Sequence, residues 1–184
     1  MNYNIIRGGH EDLNRIYPMM TFDFESWELP KESEFHAAML KGAELLLLKD
    51  GTGLECGYAM MLKSRGDNYV LLGWLGVYPN VRGNGIGGKF LSCLREYYSA
   101  LGGSLLEVTK YPELEKARKL HAFYQRNGYG DVKCEYILYS EPAALMYLPI
   151  AGPEDISGDI RVIIRGCYLP LYTETKQKQY IDIK

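Results

Sequence analysis

Val77-Tyr78-Pro79-Asn80-Val81-Arg82-Gly83-Asn84-Gly85-Ile86-Gly87-Gly88-Lys89 is the stretch on which the fold turns. It follows an apolar run, Tyr69 to Val77, and opens an amphipathic one, Ile86 to Ala100. A strand that enters a glycine-rich loop and then a helix N-terminus makes an anion site. The glycines let backbone N–H groups converge, and the helix end adds partial positive charge. The expected ligand is a phosphate or a diphosphate.

On either side of the loop the chain reads as short ordered elements. Tyr3 to Arg7 alternates like a strand, and Glu11 to Met20 carries Leu13, Ile16, Tyr17 and Met20 at helical spacing. Pro30 precedes a second helix, Lys31 to Lys41, with Phe35, Ala38 and Met39 on one face. Ala43 to Lys49 and Glu55 to Leu62 form a hairpin around Asp50-Gly51-Thr52-Gly53, and Lys63 to Asn68 turns into the long strand Tyr69 to Val77. Beyond the central helix, Leu105 to Thr109 is a buried parallel-type strand. Glu113 to Asn127 is a helix closed by Gly128, and Asp131 to Ser140 and Ala143 to Ile150 are a last strand pair around Glu141-Pro142. The order β-α-α-β-β-β-α-β-α-β-β predicts an α/β (α+β) layered domain over residues 1–150. In the extension, 151–184, Gly152-Pro153 is a breaker and Asp159 to Tyr168 alternates like one extra strand. Thr173 to Lys184 is polar and reads as a flexible tail.

Composition narrows the setting. With 184 residues, 47% of them hydrophobic, and a net charge of -2, the chain has the makings of one globular domain and no basic face for nucleic acid or a membrane surface. No segment approaches the roughly 20 apolar residues of a membrane span, and the N-terminus lacks a signal-peptide core. Cys56, Cys93, Cys134 and Cys167 are widely spaced, without CxxC pairs or nearby histidines. Reduced thiols, no metal site and a cytoplasmic protein are expected.

Three phosphate-loop patterns compete for the glycines. Gly83 to Lys89 fits the Walker A spacing, but Phe90 stands where a magnesium-binding hydroxyl belongs. Gly83, Gly85 and Gly88 match the dinucleotide fingerprint, with Glu107 near the distance of a ribose-binding acid. Against that, five residues separate the strand from the first glycine, and the loop follows a hairpin in mid-chain. The third pattern is R-x-x-G-x-G, Arg82-Gly83-Asn84-Gly85-Ile86-Gly87, preceded by Val77-Tyr78-Pro79.

With this third pattern the sequence resembles the Gcn5-related N-acetyltransferase (GNAT) family. Two further stretches carry the resemblance: Leu106-Glu107-Val108, and Ala117 to Gly130, which looks like the family's A-x-x-F-Y-x-x-x-G-F helix end with Tyr129 in place of the usual Phe. It covers roughly residues 3–150 and matches the order of elements. It implies a mixed, mostly antiparallel sheet with helices on both faces, and an acetyl-CoA-dependent N-acetyltransferase working by direct transfer to a primary amine of a small molecule or peptide.

The resemblance also implies residue roles. Backbone groups of Leu75, Gly76 and Val77, at the end of a splayed strand, would pair with the pantetheine arm. The N–H groups of Gly83, Asn84, Gly85, Ile86, Gly87 and Gly88 would cradle the pyrophosphate, framed by Arg82. Tyr124 would protonate the departing CoA thiolate, and Glu107 would take the ammonium proton, directly or through water. A side-chain contact to CoA after Val108 is in doubt, because Thr109-Lys110-Tyr111-Pro112-Glu113 is longer than usual. Acidic residues between Asp23 and Glu34 (Asp23, Glu25, Glu28, Glu32, Glu34), interleaved with Phe22, Phe24 and Trp27, form a patch suited to a cationic acceptor such as a polyamine. The rival readings are a catalytically silent acyl-CoA-binding module and a dinucleotide-binding domain; the protein is expected as a monomer or homodimer.

Overall fold

Apolar residues of the main strands point alternately to the two faces of a single sheet and feed two cores, one on each face. The computed structural model describes residues 2–63, 68–110 and 114–184. Its elements are β1 (Tyr3–Arg7), α1 (His10–Asp23), α2 (Glu32–Leu40), β2 (Glu44–Asp50), β3 (Glu55–Lys63) and β4 (Tyr69–Val77). They continue with α3 (Ile86–Tyr97), β5 (Gly103–Thr109), α4 (Glu115–Arg126), β6 (Gly130–Asp131), β7 (Tyr136–Leu138) and β8 (Glu141–Pro149). The chain ends with α5 (Ile160–Tyr168), α6 (Glu174–Tyr180) and β9 (Ile181–Ile183). Among the described residues the strands run in the order β1-β2-β3-β4-β5-β8-β7-β9, with β6 also beside β8. Only β4 and β5 pair in parallel. The mixed, mostly antiparallel sheet with helices on both faces is thus observed.

The two faces take different helices. Leu45, Leu47, Met60, Leu71, Leu105 and Leu145 share a core with α1, α2 and α5. Leu46, Leu48, Met61, Leu72, Leu106 and Met146 pack with α3 and α4 on the other side. A bulge interrupts the alternation in β4. Met60 pairs with Trp74 and Met61 with Leu72, so Gly73 is the extra residue on β4. One extra residue exchanges the faces of all that follow. Leu71 and Trp74 therefore lie in the same core although three positions apart.

The parallel ladder is short: it runs from Tyr69↔Gly103 to Leu72↔Leu106 and stops. Beyond it β4 continues to Val77 and β5 to Thr109, each still paired on its far side, to β3 and β8. The two strands splay from Gly73 onward. Gly76 does not owe its identity to that splay. A β-carbon there would lie 2.3 Å from Cζ of Tyr58, whose ring crosses the strand. The glycine makes room for a neighbouring tyrosine.

The extension departs from expectation. Ile160–Tyr168 is a helix, not a strand, and it buries Ile160, Ile163, Ile164, Cys167 and Tyr168. Those positions follow the three-and-four spacing of a helix face, which overrides the β-propensity of the isoleucines. Nor is the end a loose tail. Thr173 accepts a hydrogen bond from the Lys176 N–H at the start of α6, and buried Gln177 donates to the carbonyls of Arg165 and Tyr172. The extra strand is Ile181–Ile183, antiparallel to β7 at the sheet edge. Glu141-Pro142, expected as a turn, begins β8, and the turn falls on Tyr139 and Ser140, both with positive φ. The turn expected at Lys63 to Asn68 and the segment Tyr111 to Glu113 fall largely outside the described residues.

Candidate active site

Gly83 and Gly85 both hold a positive φ, of 83° and 73°, and Gly85 is the N-cap of α3. Such backbone suits glycine, and it turns successive amides one way. Among the described residues, no N–H from Gly83 to Gly88 donates within the protein; the first that does is Lys89, to the Gly85 carbonyl. Six consecutive donors at a helix N-terminus are therefore open to an anion. No atom lies within 4 Å of where a β-carbon on Gly83 or Gly85 would sit, so the loop surface is clear. Gly87 and Gly88 are small for another reason: added β-carbons would sit 3.1 Å from the Phe123 ring and from Asn127 Oδ1 of α4. Ile86 buries its side chain beneath the loop, and Asn84 only closes the turn, donating to the Val81 carbonyl.

Arg82 frames the loop from outside. Its Nε donates to the Val77 carbonyl at 2.7 Å, and its Nη2 pairs with Asp23 at 2.7 Å. Asp23 also accepts from the Tyr58 hydroxyl at 2.9 Å. The end of β4, the loop and the end of α1 are tied together by that one guanidinium.

The gap between β4 and β5 opens into a cleft of about 630 Å³. Leu75, Gly76 and Val77 line one wall, and Glu107 and Tyr124 lie on others. Glu107 shares its strand face with Leu105, on the α5 side of the sheet, whereas Tyr124 belongs to the core under α3 and α4. The two sides of the sheet thus meet at the place where the ladder ends.

Glu107 sits in an apolar surrounding but is not orphaned. Tyr136 donates to Oε1, and Tyr168 donates to Oε2 at 2.7 Å. Burial pushes its carboxyl up to about 7, against the opposing pull of the two phenols. Tyr124 stacks edge-on with Phe123 and Tyr129 at centroid distances of 5.2 and 5.9 Å. Its hydroxyl makes no hydrogen bond among the described residues, and burial holds the phenol protonated, with its pKa raised.

The acidic patch divides. Asp23 is engaged by Arg82, Glu34 pairs with Lys176, and Glu32 lies 3.9 Å from His36. Among the described residues Glu25 and Glu28 make no ion pair, and they line the lip of the cleft beside Asp23, Phe24 and Trp27. The Glu25 N–H donates to Glu28 Oε1, and burial raises the Glu28 carboxyl. The other sequence-level candidates lie elsewhere. His121 contacts Asp131, and His10 of α1 stacks on His36 of α2 at 4.9 Å. Tyr136 and Tyr168 were not legible as site residues, since nothing local in the sequence ties them to a glutamate 29 and 61 positions away.

Residues 41–130, from just before β2 through α4, match a sequence model of the acetyltransferase (GNAT) domain. No curated protein sequence matches the chain. Among solved structures, a protein described as a GNAT-family acetyltransferase from Bacteroides thetaiotaomicron superposes with a TM-score of 0.75 at 18% identity, over 93% of this chain and 99% of that one. The ribosomal-protein-S18-alanine N-acetyltransferase of Escherichia coli gives 0.62 at 18% identity, over 84% and 99%. A mutant of the spermidine N-acetyltransferase of Vibrio cholerae gives 0.62 at 13% identity, over 81% and 94%. At such identities the structural likeness is one of fold. Domain match and fold agree: residues 41–130 match the acetyltransferase (GNAT) domain, and the chain has the fold of GNAT acetyltransferases.

Proposed function

We propose that the protein transfers an acetyl group directly from acetyl-CoA to a primary amine. The observation that carries this reading is the end of the β4–β5 ladder at Leu72 and Leu106. It opens one edge of the β4 backbone to the cleft, beside a loop of six amides that make no hydrogen bond among the described residues, and brings Glu107 and Tyr124 to one cavity. The residues fit the cosubstrate. The amides of Gly83 to Gly88 would hold the pyrophosphate, and the backbone of Leu75 to Val77 would pair with the amide-bearing arm as a further strand would.

Acetyl-CoA supplies a thioester-activated acetyl group. The rest of the chemistry falls to the chain. Glu107 takes the proton that an ammonium must lose before its nitrogen attacks the thioester carbon. Tyr124 gives a proton to the sulfur as the C–S bond breaks. A group with its pKa near 7 is suited to the first role at neutral pH, because it is substantially ionised and still basic. A neutral phenol suits the second.

A thermal-shift comparison of acetyl-CoA, NAD(P) and ATP tests the cosubstrate. At about 100 times Kd, acetyl-CoA is expected to stabilise the fold by roughly 2.7 kcal/mol, with the other two leaving the melting temperature in place. Protection by NAD(P) alone would remove the reading. Stabilisation by acetyl-CoA without acetylation of any amine in a panel of spermidine, lysine and an alanine-leading peptide would leave an acyl-CoA-binding module instead.

The acceptor is proposed to be a cationic amine carrying an apolar portion, received by Glu25 and Glu28 at a lip that also presents Phe24 and Trp27. Two partly solvated carboxylates act chiefly through their field. The double change Glu25→Gln and Glu28→Gln is expected to raise KM for spermidine by about two- to fivefold at low salt with kcat preserved. Equal KM values for the two proteins would show that the acidic lip has no part in recognition.

A further inference from the structure

We infer that the C-terminal extension is part of the active site, and that Tyr168, with Tyr136, is a positioning residue that holds Glu107 for proton transfer. The inference rests on the reading of Glu107 as the base. It concerns 151–184, which lies outside the matched domain residues.

The geometry is that of a clamp. Tyr136 approaches Oε1 from β7, and Tyr168 approaches Oε2 from α5 at 2.7 Å, so each carboxylate oxygen has one fixed donor. Each oxygen keeps a further acceptor position, and the carboxylate lies in the wall of the cleft. Tyr168 is itself held in place. Tyr168 stacks on Tyr172 at 5.7 Å with the rings nearly parallel, and the Tyr172 hydroxyl meets that of Tyr139 at 2.8 Å. Lys176 lies 4.8 Å over the Tyr172 ring and pairs with Glu34 of α2, fastening the extension to the body. Among the described residues, the groups bearing on Glu107 are the tyrosines Tyr136, Tyr168, Tyr139 and Tyr172.

The chemistry of the clamp separates a working base from a structural acid. A buried carboxylate kept only for stability is best served by a guanidinium or ammonium partner, and an apolar residue of like volume serves as well or better. Here the donors are neutral. They fix the carboxylate's orientation and favour its ionised form in part, without supplying a charge that would hold it permanently ionised. The result is a carboxyl that changes protonation near neutral pH in the wall of a cleft.

The test follows Glu107 itself, by NMR titration of the protein labelled with carboxyl-13C glutamate, with Glu107→Gln identifying the resonance. The wild-type midpoint is expected at about 7. Losing one phenol donor removes support for the anion, so Tyr168→Phe is expected to raise that midpoint by about one unit. Tyr136→Phe, on the other oxygen, is expected to do the same, and it keeps the test alive if the first variant folds poorly. With spermidine as acceptor, kcat/KM of each variant is expected to fall about tenfold below the wild-type midpoint and to recover toward wild type at high pH. A merely structural role would lower activity evenly across pH. A midpoint unmoved in both variants, or no glutamate titrating near neutrality, overturns the clamp. Activity unchanged in Glu107→Gln overturns the base reading, whatever the titration shows.

Discussion

Glutamine at position 107 is expected to lower kcat/KM roughly a hundredfold to ten-thousandfold and, above neutral pH, to make the protein more stable. The first effect is the loss of general-base assistance with size and shape preserved. The amide oxygen can still accept from one tyrosine, and the amide nitrogen can donate to the other phenol oxygen. The second effect follows from proton linkage. The carboxyl is raised from an ordinary 4.5 to about 7, so between those values the folded protein binds more proton than the unfolded chain. Stability from this group is therefore full below pH 4.5 and is lost as the pH rises through about 7. The span corresponds to on the order of 3 kcal/mol. Glutamine does not titrate and escapes the loss. Urea denaturation at pH 5 and pH 8 is expected to show Glu107→Gln gaining on the wild type as pH rises. A difference that is the same at both values would mean that Glu107 does not change charge in this interval.

Such a trade of stability for reactivity explains which parts of this protein can be read from its sequence. The central strands, such as Leu45 to Leu48 and Ala143 to Leu148, announce themselves as short continuous apolar runs, because both faces of the sheet are covered. The loop is legible because only glycine takes positive φ at Gly83 and Gly85 without strain. Glu107 stands out as the lone carboxylate in an apolar strand, and Tyr124 by its place in the Phe-Tyr pair. What the sequence hides is long-range. The bulge at Gly73 shows only as a glycine, yet it decides that Trp74 joins Leu71 in one core. Tyr168 is one of 16 tyrosines, and no spacing rule selects it.

The extension shows a second limit. Ile160 to Tyr168 is rich in β-branched residues and reads as a strand when short alternation is weighed. Its buried positions, Ile160, Ile163, Ile164, Cys167 and Tyr168, fit a helix face, with Arg161, Val162 and Arg165 exposed. Tertiary burial chose between two patterns that the same nine residues support. The acidic segment misleads in the opposite direction, since a count of charges does not reveal that Arg82 and Lys176 neutralise two of them.

Phenylalanine at position 124 is expected to lower kcat about a hundredfold while leaving acetyl-CoA affinity and the fold almost unchanged. The substitution removes one oxygen and keeps the ring in contact with Phe123 and Tyr129. Since the hydroxyl makes no hydrogen bond among the described residues, its loss leaves no described partner unpaired, and stability should shift by less than about 1 kcal/mol. The rate falls because sulfur must then leave as a bare thiolate. Two features set this apart from the effect of changing the base or its clamp. Burial keeps the phenol protonated throughout the range in which Glu107 titrates, so the loss should be the same at pH 6 and pH 9. The loss should also shrink with acetyl donors built on a thiol more acidic than the ordinary value near 8.5, for which protonation matters less. Full activity in Tyr124→Phe would return Tyr124 to the core as a packing residue and leave the proton to water.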